Sequence, residues 1–322
     1  MRITTRVTFF LLILTGFFFL GAGQATAADV EDEDTCYFLK DGDREYLEYD
    51  CSEIRVTGYS QGNHELDCTV IQPWDEGAGP DPRAVPYPII GWANGWNFGN
   101  VVGEHTTEGY KLGLMEWALD GPYIVVAANQ WSVQESDVLA CVQWVISEYD
   151  HAGSVNGSKI GLAGHSQGGG AVIKAGDREL NRVPITAVIA MNPYGPGWVN
   201  PEDQGGPVML LGGTADTTTP TSSFQEVFDA IDDEDDKGGL LAELEGGTHN
   251  SEAWGSTFDG DEETTMKWEP AQEVNFGRYQ HVTELWWDFH LNDNPRSGRQ
   301  LKRLLDRDPW DTQYAFTDDF EL

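Results

Sequence analysis

The chain has 322 residues, 54 of them Asp or Glu against 19 Lys or Arg, for a formal net charge of −35. Contacts to nucleic-acid phosphates or anionic headgroups need clustered Lys and Arg, so this balance excludes a nucleic-acid binder and a partner of anionic membranes. With 40% hydrophobic and 11% aromatic residues the chain is not a disordered polymer and can bury a large core.

Arg2 and Arg6 flank the start of an apolar run, Phe9 to Leu20, and Ala25-Thr26-Ala27 has the small residues of a cleavage site. Residues 1–27 therefore read as a Sec-type signal peptide, directing the protein outside the cell or to the periplasm, with a mature chain from Ala28. The apolar run is short of the roughly 20 residues a membrane span needs. Only seven Lys occur, so the acid excess fits haloadaptation or a generally acidic secreted surface. Such a field keeps a protein soluble and monomeric and favours neutral substrates.

Residues 28–64 read as an acidic N-terminal extension, irregular through residue 60. Four cysteines follow the leader: Cys36, Cys51, Cys68 and Cys141. An even count in an exported chain suggests two disulfides. Cys36–Cys51 closes a short loop and is the preferred pair, leaving Cys68–Cys141; the alternative keeps Cys141 as a free, buried thiol on a helix. No His/Cys spacing suggests a metal site.

From residue 65 onward a single α/β domain is expected, with its core over about 65–305, because strand and helix signals alternate as in βαβ units. The predicted strands are Tyr87–Ala93, Tyr123–Ala128, Lys159–Gly164, Ile185–Met191, Val208–Leu211 and Leu240–Leu244. Helical stretches are predicted over about Thr106–Leu119, after a capping box at Ser132-Val133-Gln134-Glu135, and over Gly168–Ala175, Ser222–Ile231, Gln280–Leu291 and Ser297–Leu305. Asp232–Asp236 reads as a solvated acidic turn. Trp286 and Trp287 are expected to divide between core and surface.

The strongest motif is Gly164-His165-Ser166-Gln167-Gly168, a G-x-S-x-G sequence set between the strand KIGLA and a helix start rich in Gly and Ala. That context suits a nucleophile elbow, in which a strained strand-to-helix turn lifts the Ser hydroxyl clear of the sheet edge. A Ser nucleophile needs a base, and the base an orienting acid, here expected in the order Ser, Asp/Glu, His after successive strands. Asp216 follows strand PVMLLGG and His249 follows LLAELEGG, so both sit where such partners belong; an N-cap role for Asp216 is the alternative. An oxyanion would be received by the Gln167 N–H and by an N–H of the loop after the first parallel strand, with Trp96 preferred over Asn97. His165 reads as packing behind the elbow. His64, His105, His151, His281 and His290 read as surface or helix residues.

These stretches resemble the α/β-hydrolase superfamily over about residues 65–305. Within it the chain is similar to the compact cutinase-like polyester hydrolases and lipases, a group that includes bacterial PET hydrolases. The resemblance is carried by NGW ending at Trp96, GHSQGGG, MNPYG, GGTADTTTP, GGTHN and the tail WWDFHLNDNPRSGRQLKRLL. It implies Ser166 as nucleophile, His249 as base, Asp216 as acid, and Trp96 and Gln167 as oxyanion donors. It also implies that Tyr194 lines the substrate cleft. Gln167 stands where that group usually has Met, residues 251–275 form a longer acidic insert with Trp254 and Trp268, and the N-terminal cysteines are additional.

Ser166 and Asp216 are 50 residues apart, which leaves no room for a cap domain over the sheet edge. Trp96, Tyr194 and Trp254 would then form an aromatic floor at an open site. The expected activity is a secreted, cofactor-independent serine ester hydrolase acting on neutral esters, including bulky or polymeric ones. Alternatives are a small-ester, feruloyl, acetyl-xylan or dienelactone-type esterase, a peptidase on the same scaffold, and a non-catalytic secreted binding protein.

Overall fold

The computed structural model describes residues 36–41, 44–56, 64–75, 79–80, 86–96, 110–130, 132–149, 152–177, 183–195, 204–223, 225–234, 238–249, 251 and 270–315. The signal peptide, His105, His151, Asn97, Trp254 and Trp268 lie outside them. The elements run β1 (Cys36–Asp41), β2 (Arg44–Val56), β3 (His64–Asp75), β4 (Gly79–Pro80), β5 (Tyr87–Ala93), α1 (Lys111–Asp120), β6 (Ile124–Ala128) and α2 (Glu135–Ser147). They continue with β7 (Val155–His165), α3 (Gln167–Ala175), β8 (Ile185–Met191), β9 (Val208–Gly213), α4 (Gln225–Glu234), β10 (Gly239–Leu244), α5 (Pro270–His290), α6 (Pro295–Leu305) and β11 (Trp310–Ala315).

The strands form one sheet in the order β1-β2-β3-β6-β5-β7-β8-β9-β10-β11, with β4 paired to β3. The run from β6 to β10 is parallel throughout. Antiparallel strands flank it on both sides. This is an open, mostly parallel α/β sheet, the class the alternating pattern predicted.

Helices cover both faces, and the period-2 alternation of the strands sorts the core between them. Ile89, Ile124, Leu162 and Val188 face one cluster with α2, α3 and α4. Their sequence neighbours Ile90, Val125, Ala163 and Ile189 face the other with α1, α5 and α6. Strands buried on both sides need apolar residues at every position, which is why β5 reads YPIIGWA and is buried end to end.

Several expectations are corrected. Within the stretch expected to be irregular, residues 36–41 and 44–56 are not: they form β1 and β2, antiparallel strands of the same sheet, and β2 pairs with β3. Backbone pairing forms these polar strands: β2 is paired on both edges, by β1 and β3, and β1 joins the sheet through β2. His64 opens β3, so it is not a helix residue. Helix α4 runs on through Glu234, so the first part of the expected acidic turn at Asp232 is helical.

The helix after β6 is capped two residues later than expected. Its N-cap is Gln134, whose N–H donates to the Asp137 carboxylate at 2.8 Å. The Ser132 hydroxyl instead receives the Gln167 side-chain amide at 2.6 Å. Trp286 and Trp287 are both fully buried, so neither is a surface residue. Their helix, α5, has neighbours on more than one side: the sheet at β8, α1 and α6.

Cys68 and Cys141 form a disulfide, which ties β3 to α2. Cys141 is thus not a free thiol. The side chains of Cys36 and Cys51 lie outside the described ones. Among the described residues no helix is long and apolar enough to cross a membrane.

Candidate active site

Ser166, Asp216 and His249 come together at the carboxyl edge of the parallel run. Ser166 sits between β7 and α3 with φ 53° and ψ −119°, a left-handed conformation costly for a residue with a Cβ. The surroundings hold it there. Its N–H donates to the Met191 carbonyl at 2.9 Å, and its carbonyl accepts the N–H groups of Tyr194 at 2.8 Å and Gly170 at 3.2 Å. The turn also needs bare backbone beside it, because a Cβ on Gly168 would lie 2.1 Å from the Ala93 carbonyl oxygen.

His249 leaves β10 in the turn Thr248–Ser251, closed by the Thr248 N–H on the Ser251 hydroxyl at 2.8 Å. Its Nε2 lies 3.1 Å from Ser166 Oγ, and its Nδ1 lies 2.8 Å from Asp216 Oδ2. An imidazole whose Nδ1–H donates to a carboxylate presents an unprotonated Nε2 to the hydroxyl. Ser166 Oγ–H therefore donates to His249.

Asp216, in the loop after β9, is buried. Its Oδ1 accepts the N–H groups of Thr218 at 2.7 Å and Thr219 at 2.9 Å. Oδ1 thus closes a tight turn rather than capping a helix, because residues 217–220 are not helical, while Oδ2 faces the imidazole. Burial pushes the carboxyl pKa up, but the Thr219 N–H, His249 and the Thr219 hydroxyl outweigh it and hold it below the usual carboxylate value. Asp216 is a fixed anion at neutral pH.

Sequence reasoning missed several supporting groups. Thr219 Oγ1 lies 2.8 Å from Asp216 Oδ2, 3.0 Å from His249 Nδ1 and 3.0 Å from the Asn192 carbonyl oxygen. Asn192 has a positive φ of 43°, and its Nδ2 reaches the His249 carbonyl oxygen at 3.3 Å. A Thr three residues after an Asp, just before Pro220, is a turn signal that could have pointed to Thr219.

His165 does lie behind the elbow, buried and in ring contact with His249, with centroids 4.8 Å apart. Its burial and the nearby His249 ring lower its pKa to about 3.

The Asn94–Trp96 loop passes beside the nucleophile: a Cβ on Gly95 would lie 3.2 Å from Ser166 Cβ. Asn94 anchors that loop by accepting the Trp92 indole N–H at 2.6 Å and donating to the Ala128 carbonyl at 3.1 Å. Gln167 is the first residue of α3, where a backbone N–H has no carbonyl within the helix to meet. Trp96, which follows Gly95, is 53% exposed, and Tyr194, whose N–H meets the Ser166 carbonyl, is 56% exposed. Among the described residues no group of His, Cys, Asp and Glu is arranged to hold a metal ion.

The arrangement can polarise the Ser166 hydroxyl, take its proton on His249 and balance the resulting cation with Asp216. Comparison with known proteins adds nothing to this geometry: no protein-family model matches the chain, and no curated protein is significantly similar to it.

Proposed function

We propose that the protein is a secreted serine ester hydrolase on an α/β-hydrolase scaffold without a cap domain. The single observation that carries this reading is the hydrogen-bonded Asp216–His249–Ser166 chain, with Ser166 on a strained strand-to-helix turn.

Ser166 Oγ attacks the ester carbonyl as His249 Nε2 takes its proton. The tetrahedral oxyanion is received by the Gln167 N–H and the Trp96 N–H, each donor being worth roughly 3 kcal/mol in the transition state. His249 then protonates the leaving alcohol, leaving Ser166 acylated. Water, deprotonated by the same Nε2, releases the acid. Asp216 holds the imidazole tautomer and stays ionised throughout. Neither a cofactor nor a metal is needed for these steps.

Bulky or polymeric neutral esters are the favoured substrates, because Trp96 and Tyr194 are exposed beside the nucleophile and can meet aryl or acyl groups. Export accords with the leader-like residues 1–27 and with the Cys68–Cys141 disulfide, since such bonds persist in oxidising compartments.

The test is residues 28–322 with p-nitrophenyl esters of increasing acyl length, beside amorphous aromatic polyester film. Soluble aromatic acids released from the film, and lost in Ser166→Ala, are expected. Hydrolysis of short soluble esters alone would restrict the reading to a small-ester or carbohydrate-ester esterase. Hydrolysis undiminished in Ser166→Ala, or no labelling of Ser166 by an organophosphonate, would overturn it.

A further inference from the structure

His165 belongs to no step above, yet its ring is hydrogen-bonded at both nitrogens. Nε2 lies 2.6 Å from the His249 carbonyl oxygen, and Nδ1 lies 2.8 Å from the Tyr110 hydroxyl. A carbonyl oxygen only accepts, so Nε2 carries the proton. Nδ1 of the neutral ring is then an acceptor, and the Tyr110 hydroxyl must donate to it. That leaves the Tyr110 oxygen to accept the Gly95 N–H, which lies 3.3 Å away. Every donor and acceptor role along the line is therefore assigned. It runs from the Gly95 N–H through Tyr110 and His165 to the His249 carbonyl. The fit is close, since a Cβ on Gly95 would stand 2.9 Å from His165 Nδ1 and 3.0 Å from the Tyr110 oxygen.

The two ends of this line belong to loops that the sheet does not connect. Gly95 follows β5 and His249 follows β10, and three strands separate β5 from β10. At the ordinary strand spacing that is about 19 Å of sheet. Backbone pairing cannot hold one loop against the other. The side chain that spans them belongs to the residue directly before the nucleophile.

We propose that His165 is a positioning residue that locks the base-bearing loop and the Asn94–Trp96 loop into one rigid frame around Ser166. This rests on the reading of Ser166 as the nucleophile. The ring acts as a neutral strut: it donates at one end, accepts at the other, and exchanges no proton with substrate. Its burial and the neighbouring His249 ring oppose a charge, which suits that role. Tyr110 and Asp216 are the other titratable groups at its faces.

The test has two arms. In the first, imidazole ¹⁵N spectra of the wild type should show His165 as the Nε2–H tautomer, without titration between pH 5 and 8. An Nδ1–H tautomer, or titration near the ordinary His pKa, overturns the proposal.

In the second arm, His165→Phe keeps a buried ring but removes both nitrogens. Its kcat should fall about 10- to 100-fold with KM within about twofold, the size expected when a base is displaced by a fraction of an ångström to an ångström. His165→Gln, which keeps a side-chain N–H donor, should recover part of that loss. Tyr110→Phe should lose several-fold. Tyr110→Phe combined with His165→Phe should be no worse than His165→Phe alone, because both act through one line. Wild-type kcat in folded His165→Phe, or additive losses with no recovery in His165→Gln, overturns the proposal. An organophosphonate that labels Ser166 in the wild type keeps these failures separate from failure of the hydrolase reading. Absence of that label beside an Nε2–H tautomer would sink the hydrolase reading while leaving the hydrogen-bond strut intact.

Discussion

The parallel run β6–β10 and the antiparallel flank β1–β3 belong to one sheet but differ in what they do. Each strand of the run that bears on the site ends at the same edge, so β5, β7, β9 and β10 deliver the Asn94–Trp96 loop, Ser166, Asp216 and His249 to one place. Antiparallel strands send successive ends to opposite edges and cannot converge side chains in this way. The flank instead lengthens the sheet and is fastened to α2 by the Cys68–Cys141 bond. On the proposed function convergence serves chemistry and cross-linking serves stability, so substitutions in the two regions should separate activity from unfolding free energy.

The sharpest separation is expected at Asp216→Asn. The neutral amide leaves the fold in place but no longer enforces the His249 tautomer. In the serine-protease precedent this change lowers kcat by about 10⁴-fold. Steady-state kinetics should show that loss with a melting temperature within a few degrees of wild type. A mild kinetic loss would mean that Thr219, 3.0 Å from His249 Nδ1, orients the ring on its own.

Trp287→Ala should do the opposite. Its ring lies against Gly161 of β7, where an added Cβ would meet the ring at 2.6 Å, and edge-on to Trp117 at 5.9 Å. Truncating a fully buried Trp costs about 3–5 kcal/mol. Denaturant unfolding should show that loss, while kcat per folded molecule is unchanged. A matching kinetic loss would mean that α5 supports the elbow through the sheet.

Removing the cross-link with Cys68→Ala and Cys141→Ala should cost about 2–4 kcal/mol, the usual effect of a disulfide closing a long loop. The closed segment spans 73 residues and includes β5 and α1 but not Ser166. Urea midpoints should fall, and esterase activity below the transition should remain. If activity falls first, the flank and the site are coupled, and the division drawn above fails.

The site was legible from the sequence where it depended on local rules. G-x-S-x-G between an apolar strand and a Gly-rich helix start located Ser166. The fixed chain order then located Asp216 and His249 as the polar residues just past later apolar strands. The supporting shell was not legible. Thr219, Asn192 and Tyr110 act through loop geometry that has no period, and His165 is read as packing until its partners are known. Ser132 illustrates the same limit. Its spacing to Glu135 suits a capping box, but its hydroxyl accepts from Gln167, 35 residues away, and the helix is capped at Gln134 instead. β1 and β2 were hidden because their pattern is acidic and Tyr-rich, and pairing with neighbours supplies what the pattern lacks. The expected division of Trp286 and Trp287 between core and surface failed because single-helix periodicity cannot register packing on more than one side.

Acid should weaken the parallel run and the helix α5 packed on it. His165 and His290 are buried, desolvation being the largest cause in each, and their pKa values fall to about 3. Asp216 is also held below its ordinary value. In each case the unfolded chain binds protons that the folded chain does not. Stability from the two histidines is therefore complete above about pH 6.5 and is lost progressively as pH falls toward 3. Asp216 adds a loss of the same sign below about pH 4. Protonating an acidic surface relieves repulsion and acts in the opposite direction. Urea midpoints should therefore be compared at pH 7, 5 and 4 in about 1 M NaCl, where the screening length is about 3 Å. Midpoints that stay level there would mean that one or both histidines become protonated without unfolding.

Gln167→Met should have the smallest effect and probes the boundary between the two functions. Gln167 contributes a backbone N–H to the proposed oxyanion site, and Met retains it. The side-chain amide donates to Ser132 Oγ at 2.6 Å, and Gln134 donates to the same hydroxyl at 3.2 Å. Ser132 is exposed, so water can replace the lost donor, and the stability change should stay within about 1 kcal/mol. Short soluble esters should therefore be hydrolysed with kcat within about twofold of wild type. Bulky aryl esters should gain, because a thioether beside a bound ring is worth about two- to tenfold in affinity and leaves no amide to desolvate. KM values for acetyl and benzoyl p-nitrophenyl esters, measured side by side, separate these effects. A collapse in kcat for the acetyl ester would show that the amide itself contributes to the reaction, through Ser132 or directly. In that case the polar link between α2 and the elbow belongs to the chemistry rather than to the scaffold.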